Sequence, residues 1–113
     1  MDNSPRKLRF GLPRSARLNR SAEIRKVLQN GAKLTGSSIN LFFMPAERGR
    51  FAVVVPKRVG NAVRRNRMKR LVREIYRTRP DLFANKQVVF FVKRFNRRYD
   101  RIEKQIVQML SRG

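Results

Sequence analysis

The sequence predicts an α+β fold: one small domain in which helices pack on a central sheet. The chain has 113 residues, enough for one hydrophobic core but not for two of comparable size. Apolar residues recur at helical spacing in three segments, and three short apolar runs bounded by turn residues are typical of strands. Their order along the chain predicts the arrangement α-β-β-α-β-α.

Capping and turn residues set the bounds of the first three elements. Ser21 is a candidate N-cap for a helix of about ten residues that ends at Gly31. The apolar run 39–44 predicts a strand, and a second strand follows over 51–55. We expect these two strands to pair as a hairpin across the loop 45–49.

The remaining elements follow in the same way. Pro56 ends the second strand, and Asn61 is a candidate N-cap for a long helix that runs to about Arg79, before Pro80. The run 88–92 is apolar throughout, which predicts a third strand buried on both faces. A basic loop over 93–99 precedes a final amphipathic helix. Its apolar residues are Ile102, Ile106, Val107 and Leu110.

Residues 1–16 mix Pro, Gly, Ser and basic residues without apolar periodicity, so we expect a flexible basic arm followed by a single domain over 17–113. The arm has no apolar core of the kind that a secretory signal needs. A mitochondrial transit peptide is an alternative, but Pro and Gly residues interrupt the amphipathic helix that it requires. We expect a cytoplasmic protein.

The composition predicts a polyanionic partner. The chain contains 29 Lys and Arg against 7 Asp and Glu, a formal charge of +22. A compact chain with this charge repels itself, and a bound polyanion neutralises the excess. Nucleic acid is the expected partner, because the chain lacks the long apolar run or strongly apolar helix that a membrane would require.

The same composition limits catalysis by protein side chains. The chain has no Cys and no His, so it lacks disulfides, thiolate metal ligands and the commonest general base. Its acidic residues are scattered among basic ones, with no paired set at metal-binding spacing. We expect no catalytic residue and no cofactor or metal bound by the protein alone.

The long helix carries the most informative pattern. On a helical projection, its apolar arc faces the core and contains Met68, Leu71, Val72, Ile75 and Tyr76. Its opposite arc contains Asn66, Lys69, Arg70, Arg73 and Arg77. A solvated helix face is the alternative, but such faces normally intersperse Glu with Lys. The excess of Arg favours a nucleic-acid ligand, because a guanidinium can bind two phosphate oxygens at once. The free backbone amides of the first helical turn after Gly60, beside Arg64 and Arg65, add a candidate phosphate-binding site.

This helix contains an ordered run: Gly60-Asn61-Ala62-Val63, then Arg65-Asn66-Arg67, Lys69-Arg70 and Arg73-Glu74. The run closely resembles the arginine-rich signature of the bacterial ribonuclease P protein component. The resemblance continues on both sides and covers the chain from about residue 14 to 111. It implies a ribosomal-protein-like fold with a left-handed βαβ crossover.

The resemblance also assigns binding roles to residues. The signature helix and its preceding loop would contact the catalytic RNA subunit. Carried over to this chain, the residues with that role are Lys57, Arg58, Asn61, Arg64, Arg65, Asn66, Arg67, Lys69, Arg70 and Arg73.

A second implied site is a cleft for the single-stranded 5′ leader of precursor tRNA, between the first helix and the exposed sheet face. Its residues would be Arg17, Ile24, Arg25, Leu28 and Phe42. Ile24 and Leu28 stand where this helix usually has aromatics, so apolar packing or stacking on Arg25 would replace base stacking there. Strand side chains alternate between faces, so one of Phe42 and Phe43 belongs to the core.

The implied function is that of an accessory subunit of an endoribonuclease. The enzyme would hydrolyse one phosphodiester of precursor tRNA and leave a 5′-phosphate, with magnesium ions held on the RNA subunit. The protein, a monomer in the ribonucleoprotein, would supply binding. Two alternatives stay open: a ribosomal or other basic RNA-binding protein, and a nuclease that acts alone. The ordered arginine-rich run favours ribonuclease P over a ribosomal protein.

Overall fold

The computed structural model of the chain describes Leu18 and residues 21–112. These residues form an α+β domain, as predicted; the predicted arm 1–16 lies outside them. The elements are α1 (Ser21–Asn30), β1 (Ala32–Thr35), β2 (Ile39–Pro45), β3 (Arg50–Val54), a 3-10 turn (Lys57–Val59), α2 (Ala62–Thr78), α3 (Pro80–Phe83), β4 (Lys86–Val92) and α4 (Tyr99–Arg112). β1 and α3 are additional to the predicted order.

Local signals determine the helix ends. α1 ends where the Gly31 amide donates a hydrogen bond of 2.8 Å to the Val27 carbonyl. A Cβ atom at Gly31 would lie 2.6 Å from that carbonyl oxygen, so this close approach requires glycine. α2 begins after Asn61, whose side chain accepts a hydrogen bond from the Arg64 amide. The predicted helices at both positions are therefore confirmed.

The strands lie in the order β1-β2-β4-β3. β2 is antiparallel to β1 and β4, whereas β3 is parallel to β4. The predicted hairpin between β2 and β3 is therefore wrong, because β4 lies between them. β4 is the most continuously apolar strand, and its interior position gives it a hydrogen-bonded neighbour at each edge while helices pack on both faces of the sheet. The chain returns from β3 to β4 through α2 and α3, the long connection that parallel neighbours need.

Helices cover both faces of the sheet. α2 and α4 pack on one face, which we call the α2 face, around Leu41, Phe51 and Phe90. α1 packs on the other, the α1 face, where Val27 contacts a smaller buried cluster with Val89. All residues of the predicted apolar arc of α2 are buried: Met68, Leu71, Val72, Ile75 and Tyr76.

Stacked aromatic rings fix α2 on the sheet. The Tyr76 ring lies 4.2 Å from the Phe51 ring and 5.0 Å from the Phe83 ring, measured between centroids. Each buried side chain of this size contributes roughly 1.5–3 kcal/mol through loss of water contact. Burial also raises the pKa of the Tyr76 hydroxyl. α2 is thus a rigid support for the side chains on its outer side.

Candidate RNA interface

The residues that the resemblance assigns to RNA binding all reach the surface of α2 or the turn before it. We call these ten residues the basic ridge. Arg65, Lys69 and Arg73 are half-buried. The exposed members are Lys57, Arg58, Asn61, Arg64, Asn66, Arg67 and Arg70. The ridge is therefore accessible to a large ligand along the whole length of the basic run.

The start of α2 is ordered by its own polar groups. The Asn61 Oδ1 atom accepts a hydrogen bond of 3.0 Å from the Arg64 amide. Arg65 Nε donates to the Gly60 carbonyl at 3.2 Å, which positions the guanidinium of this side chain. Gly60 has φ 157°, and a Cβ atom there would lie 2.9 Å from Arg64 Cδ. Glycine thus allows the turn and the first arginines to pack closely.

Acidic residues pair with basic residues elsewhere on the described surface, but not with residues 57–70. Glu74 pairs with Arg77, and this hydrogen bond lowers the pKa of the Glu74 carboxyl. Arg79 pairs with Glu103 at 3.1 Å, beyond the end of α2. Among residues 18 and 21–112, no ion pair involves residues 57–70. The positive charge of this segment is available to an external anion.

The ridge residues lie on two sides of α2. Lys69 and Arg73 line a cavity of about 170 Å³ whose wall includes Ile24 of α1. Arg64 and Arg67 line a different cavity on the opposite side of the helix. Two residues assigned to catalytic-RNA binding, Lys69 and Arg73, therefore lie next to the predicted cleft residue Ile24. The sequence does not reveal this proximity.

The predicted leader cleft corresponds to the α1 face. Phe42 is half-buried and packs, with Ile24 and Leu28, against the small cluster on this face. Phe43 is also half-buried and packs against the core on the α2 face. The two rings lie on opposite faces, as strand alternation predicts, but neither is a fully buried core residue. Arg25 is exposed. Arg17 lies outside the described residues.

Phe91 also lies on the α1 face, although the sequence did not predict it as a cleft residue. Phe42 pairs with Val89, and Asn40 pairs with Phe91, which brings both rings to one face. Phe91 is half-buried, so the prediction that 88–92 is buried on both faces is wrong at this position. An unbroken apolar run has no alternation to reveal the exposed side; only the strand register does.

The part of the chain that the structure describes contains no group of three acidic side chains placed to hold a metal ion. Its helices also include none with the length and apolar character needed to cross a bilayer.

A family model for ribonuclease P matches residues 12–113 of the chain. The chain belongs to the ribonuclease P protein family. Over 87 residues it is 38% identical to the ribonuclease P protein component of Dictyoglomus thermophilum, a match that covers 74% of this chain and 72% of that protein. The corresponding protein of Coprothermobacter proteolyticus is 41% identical over 68 residues, which are 60% of this chain and 57% of that protein.

Solved ribonuclease P proteins share the fold. A Staphylococcus aureus RNase P protein, a mutant with defective mRNA degradation activity, superposes with a TM-score of 0.80 at 18% identity, covering 94% of this chain and 92% of its own. The Thermotoga maritima RNase P protein gives a TM-score of 0.73 at 22% identity, with coverage of 86% and 96%. At these identities the likeness establishes the fold alone.

Proposed function

We propose that the chain is the protein subunit of ribonuclease P, which binds the catalytic RNA and the 5′ leader of precursor tRNA. In this role it assists endonucleolytic removal of the leader and gives mature tRNA 5′ ends. The observation that carries the proposal is the basic ridge. Its segment 57–70 meets no acidic side chain in an ion pair among the described residues.

The ridge contacts the catalytic RNA through phosphates. Arginine forks bind two phosphate oxygens at once, and contact with the RNA backbone releases condensed counterions. Because the apolar arc of α2 is buried in the core, the helix is ordered before RNA binds. Only side chains then lose freedom on binding, which lowers the entropic cost of the complex.

The leader lies against the α1 face in this proposal. Phe42 and Phe91 offer partly exposed rings for base stacking, which tolerates any sequence because every base has a π-face. Lys69 and Arg73 line a cavity together with Ile24, so this part of the ridge lies beside the leader. Contacts made only by the leader favour precursor over mature tRNA, so the protein promotes substrate binding and product release.

The chemistry belongs to the RNA subunit. Hydrolysis of one phosphodiester gives the 5′-phosphate of mature tRNA, with magnesium ions held on the RNA. The protein takes part as a monomer in a cytoplasmic ribonucleoprotein and supplies no catalytic side chain. The lack of His and Cys in the sequence supports this division of labour.

The test is cleavage of a precursor tRNA by a bacterial ribonuclease P RNA in low magnesium, with and without this protein. We expect strong stimulation and a product with a 5′-phosphate at the mature end. RNA binding without stimulation would contradict the proposal and favour a ribosomal or other basic RNA-binding protein. Cleavage by protein free of RNA would instead indicate a nuclease that acts alone.

A matched pair of variants sharpens this test. Arg70→Gln removes a ridge charge, whereas Arg77→Gln removes an arginine two helical turns later that already pairs with Glu74. If the ridge binds the catalytic RNA, Arg70→Gln raises the protein concentration needed for half-maximal stimulation more than Arg77→Gln does.

A further inference from the structure

A second aromatic and basic cluster lies on the side of α2 away from the cavity next to Ile24. Phe95 belongs to the loop 93–98, and the guanidinium carbon of Arg64 lies 5.1 Å from the centroid of its ring. A cavity of about 260 Å³ opens beside this pair. Its lining residues are Asn61, Val63, Arg64, Arg67, Phe95 and Arg97. We call these residues the Phe95 site.

The loop that carries Phe95 is held in place by hydrogen bonds on both sides of the ring. The Lys93 amide donates to the Ser38 carbonyl at 2.8 Å, and the Asn96 amide donates to the Met68 sulfur at 3.4 Å. The Phe95 ring also packs against the main core. The orientation of the ring is therefore fixed without a ligand, which reduces the entropic cost of binding one.

The Phe95 site is positive and partly apolar. Arg64, Arg67 and Arg97 line it without an acidic neighbour, and among the described residues none of the three forms an ion pair. The next residue along the loop, Arg98, does pair with Asp100, at 3.4 Å. Val63 is 72% exposed and lies at the edge of the cavity. This exposed apolar side chain is suited to contact with an apolar ligand surface rather than with water.

We propose that the Phe95 site binds one unpaired RNA nucleotide. The base packs against Arg64, Phe95 and Val63, and Arg67 and Arg97 hold the adjacent phosphates. Arginine planes and aromatic rings are the surfaces on which splayed-out RNA bases stack. An A-form duplex keeps its bases stacked inside the helix, so it cannot fill this cavity.

This inference deepens the proposed function, since it specifies the RNA structure that meets one side of α2. The ridge alone predicts contact with phosphates of any RNA strand, paired or unpaired. The Phe95 site adds a preference for a bulged or single-stranded nucleotide. The binding partner is therefore an RNA segment with an unpaired base beside the phosphates that the ridge contacts.

Photocrosslinking tests the proposal directly. The full chain is irradiated with a single-stranded RNA of about 12 nucleotides that carries 5-iodouridine, and the crosslinked residue is identified by mass spectrometry. We expect a crosslink at Phe95 that disappears when the same RNA is annealed to its complement. Crosslinks that avoid Phe95, or a Phe95 crosslink of equal yield with the duplex, would overturn the proposal.

Variants test the same site by affinity for the unmodified RNA. Phe95→Leu and Arg97→Gln should each raise the dissociation constant of the single strand about five- to tenfold. Arg94→Gln is the matched control, because it removes the same charge from the same loop outside the cavity. A urea unfolding midpoint for each variant separates loss of binding from loss of folding. Equal increases in the dissociation constant for Arg97→Gln and Arg94→Gln would contradict the proposal. Arg97 is exposed, so its substitution should not impair folding.

The two proposals fail in different experiments. If the chain crosslinks at Phe95 but does not stimulate precursor cleavage, the nucleotide site is supported and the ribonuclease P function is contradicted. If the chain stimulates cleavage but Phe95→Leu binds single-stranded RNA as tightly as the wild type, the ribonuclease P function is supported and the nucleotide site is contradicted.

Discussion

Phe42 on β2 and Phe91 on β4 lie on the same face of the sheet, on adjacent strands and two register positions apart. Both rings are half-buried. α1 packs on this face through the aliphatic side chains Ile24 and Leu28. In this chain the aromatic surface of the proposed leader cleft therefore belongs to the sheet, where the resemblance to the family predicted only Phe42.

Removal of either ring should weaken binding of the leader. We expect Phe42→Leu and Phe91→Leu each to raise the dissociation constant of the reconstituted ribonucleoprotein for precursor tRNA about fivefold or more, because base stacking on an aromatic ring contributes roughly 1–3 kcal/mol. Affinity for mature tRNA, which has no leader, should not change. The measurement is the ratio of the two affinities.

Phe43→Leu is the control for this prediction. Phe43 is half-buried like Phe42 but packs on the α2 face. Its substitution can lower stability, yet it should leave the ratio of precursor to mature tRNA affinity unchanged. A ratio that is unaltered in Phe42→Leu and Phe91→Leu would remove both rings from the leader cleft.

The basic ridge makes a prediction about salt. Arg70 is exposed on α2, and if it contacts a phosphate, Arg70→Gln should reduce the slope of log affinity against log salt concentration by about 0.7–0.9. Arg77→Gln should reduce it less, because Glu74 already occupies that guanidinium. The slopes are measured by titration of ribonuclease P RNA at several salt concentrations. Equal slopes for wild type and Arg70→Gln would exclude Arg70 from the interface.

The Asn61 cap should stabilise α2 measurably. Asn61→Ala removes the acceptor of the Arg64 amide and should lower the free energy of unfolding by about 1 kcal/mol. Asn66→Ala, an exposed substitution within the same helix, should change it by less than about 0.5 kcal/mol. Urea unfolding of the protein without RNA measures both. A larger loss in Asn66→Ala would show that the cap hydrogen bond is not the cause.

Stability should fall in alkali because of Tyr76. Burial raises the pKa of this hydroxyl in the folded state above its ordinary value of about 10. The contribution of the neutral hydroxyl is therefore complete below pH about 10 and declines as the pH rises towards the folded-state pKa. Tyr76→Phe should make the free energy of unfolding fall less steeply as the pH rises above about 10.

Tyr99→Phe is the control for the alkaline experiment. The Tyr99 hydroxyl lies 3.2 Å from the Thr78 hydroxyl at the end of α2, on the exposed surface. We expect this variant to retain the steep alkaline decline of the wild type. If Tyr99→Phe flattened the curve and Tyr76→Phe did not, the assignment to Tyr76 would be wrong.

The helices and the basic ridge could be predicted from the sequence because their signals are local. The apolar positions of α2 repeat within a few residues, and Asn61 lies next to the amide that it caps. The exposed residues on the other side of the helix then follow from the same periodicity. The Arg64–Phe95 pair could not be predicted, because it depends on how a distant loop packs against the helix.

Strand pairing is not local, and there the prediction was wrong. A turn between β2 and β3 favoured a hairpin, but the two strands are separated by β4, which is made later in the chain. The apolar character of 88–92 was a usable signal, because a strand with two apolar faces is expected at the centre of a sheet. That same uniformity hid the half-buried Phe91.

The central position of β4 also determines when the protein can fold during its synthesis. A nascent chain that has not yet reached Val92 can form the β1–β2 pair, but β3 has no completed neighbour to pair with. α2, with its ridge, leaves the ribosome before the strand that completes its support. Long-range pairing of this kind delays folding. The chain can therefore present the basic ridge on a fully supported helix only after β4 has been synthesised.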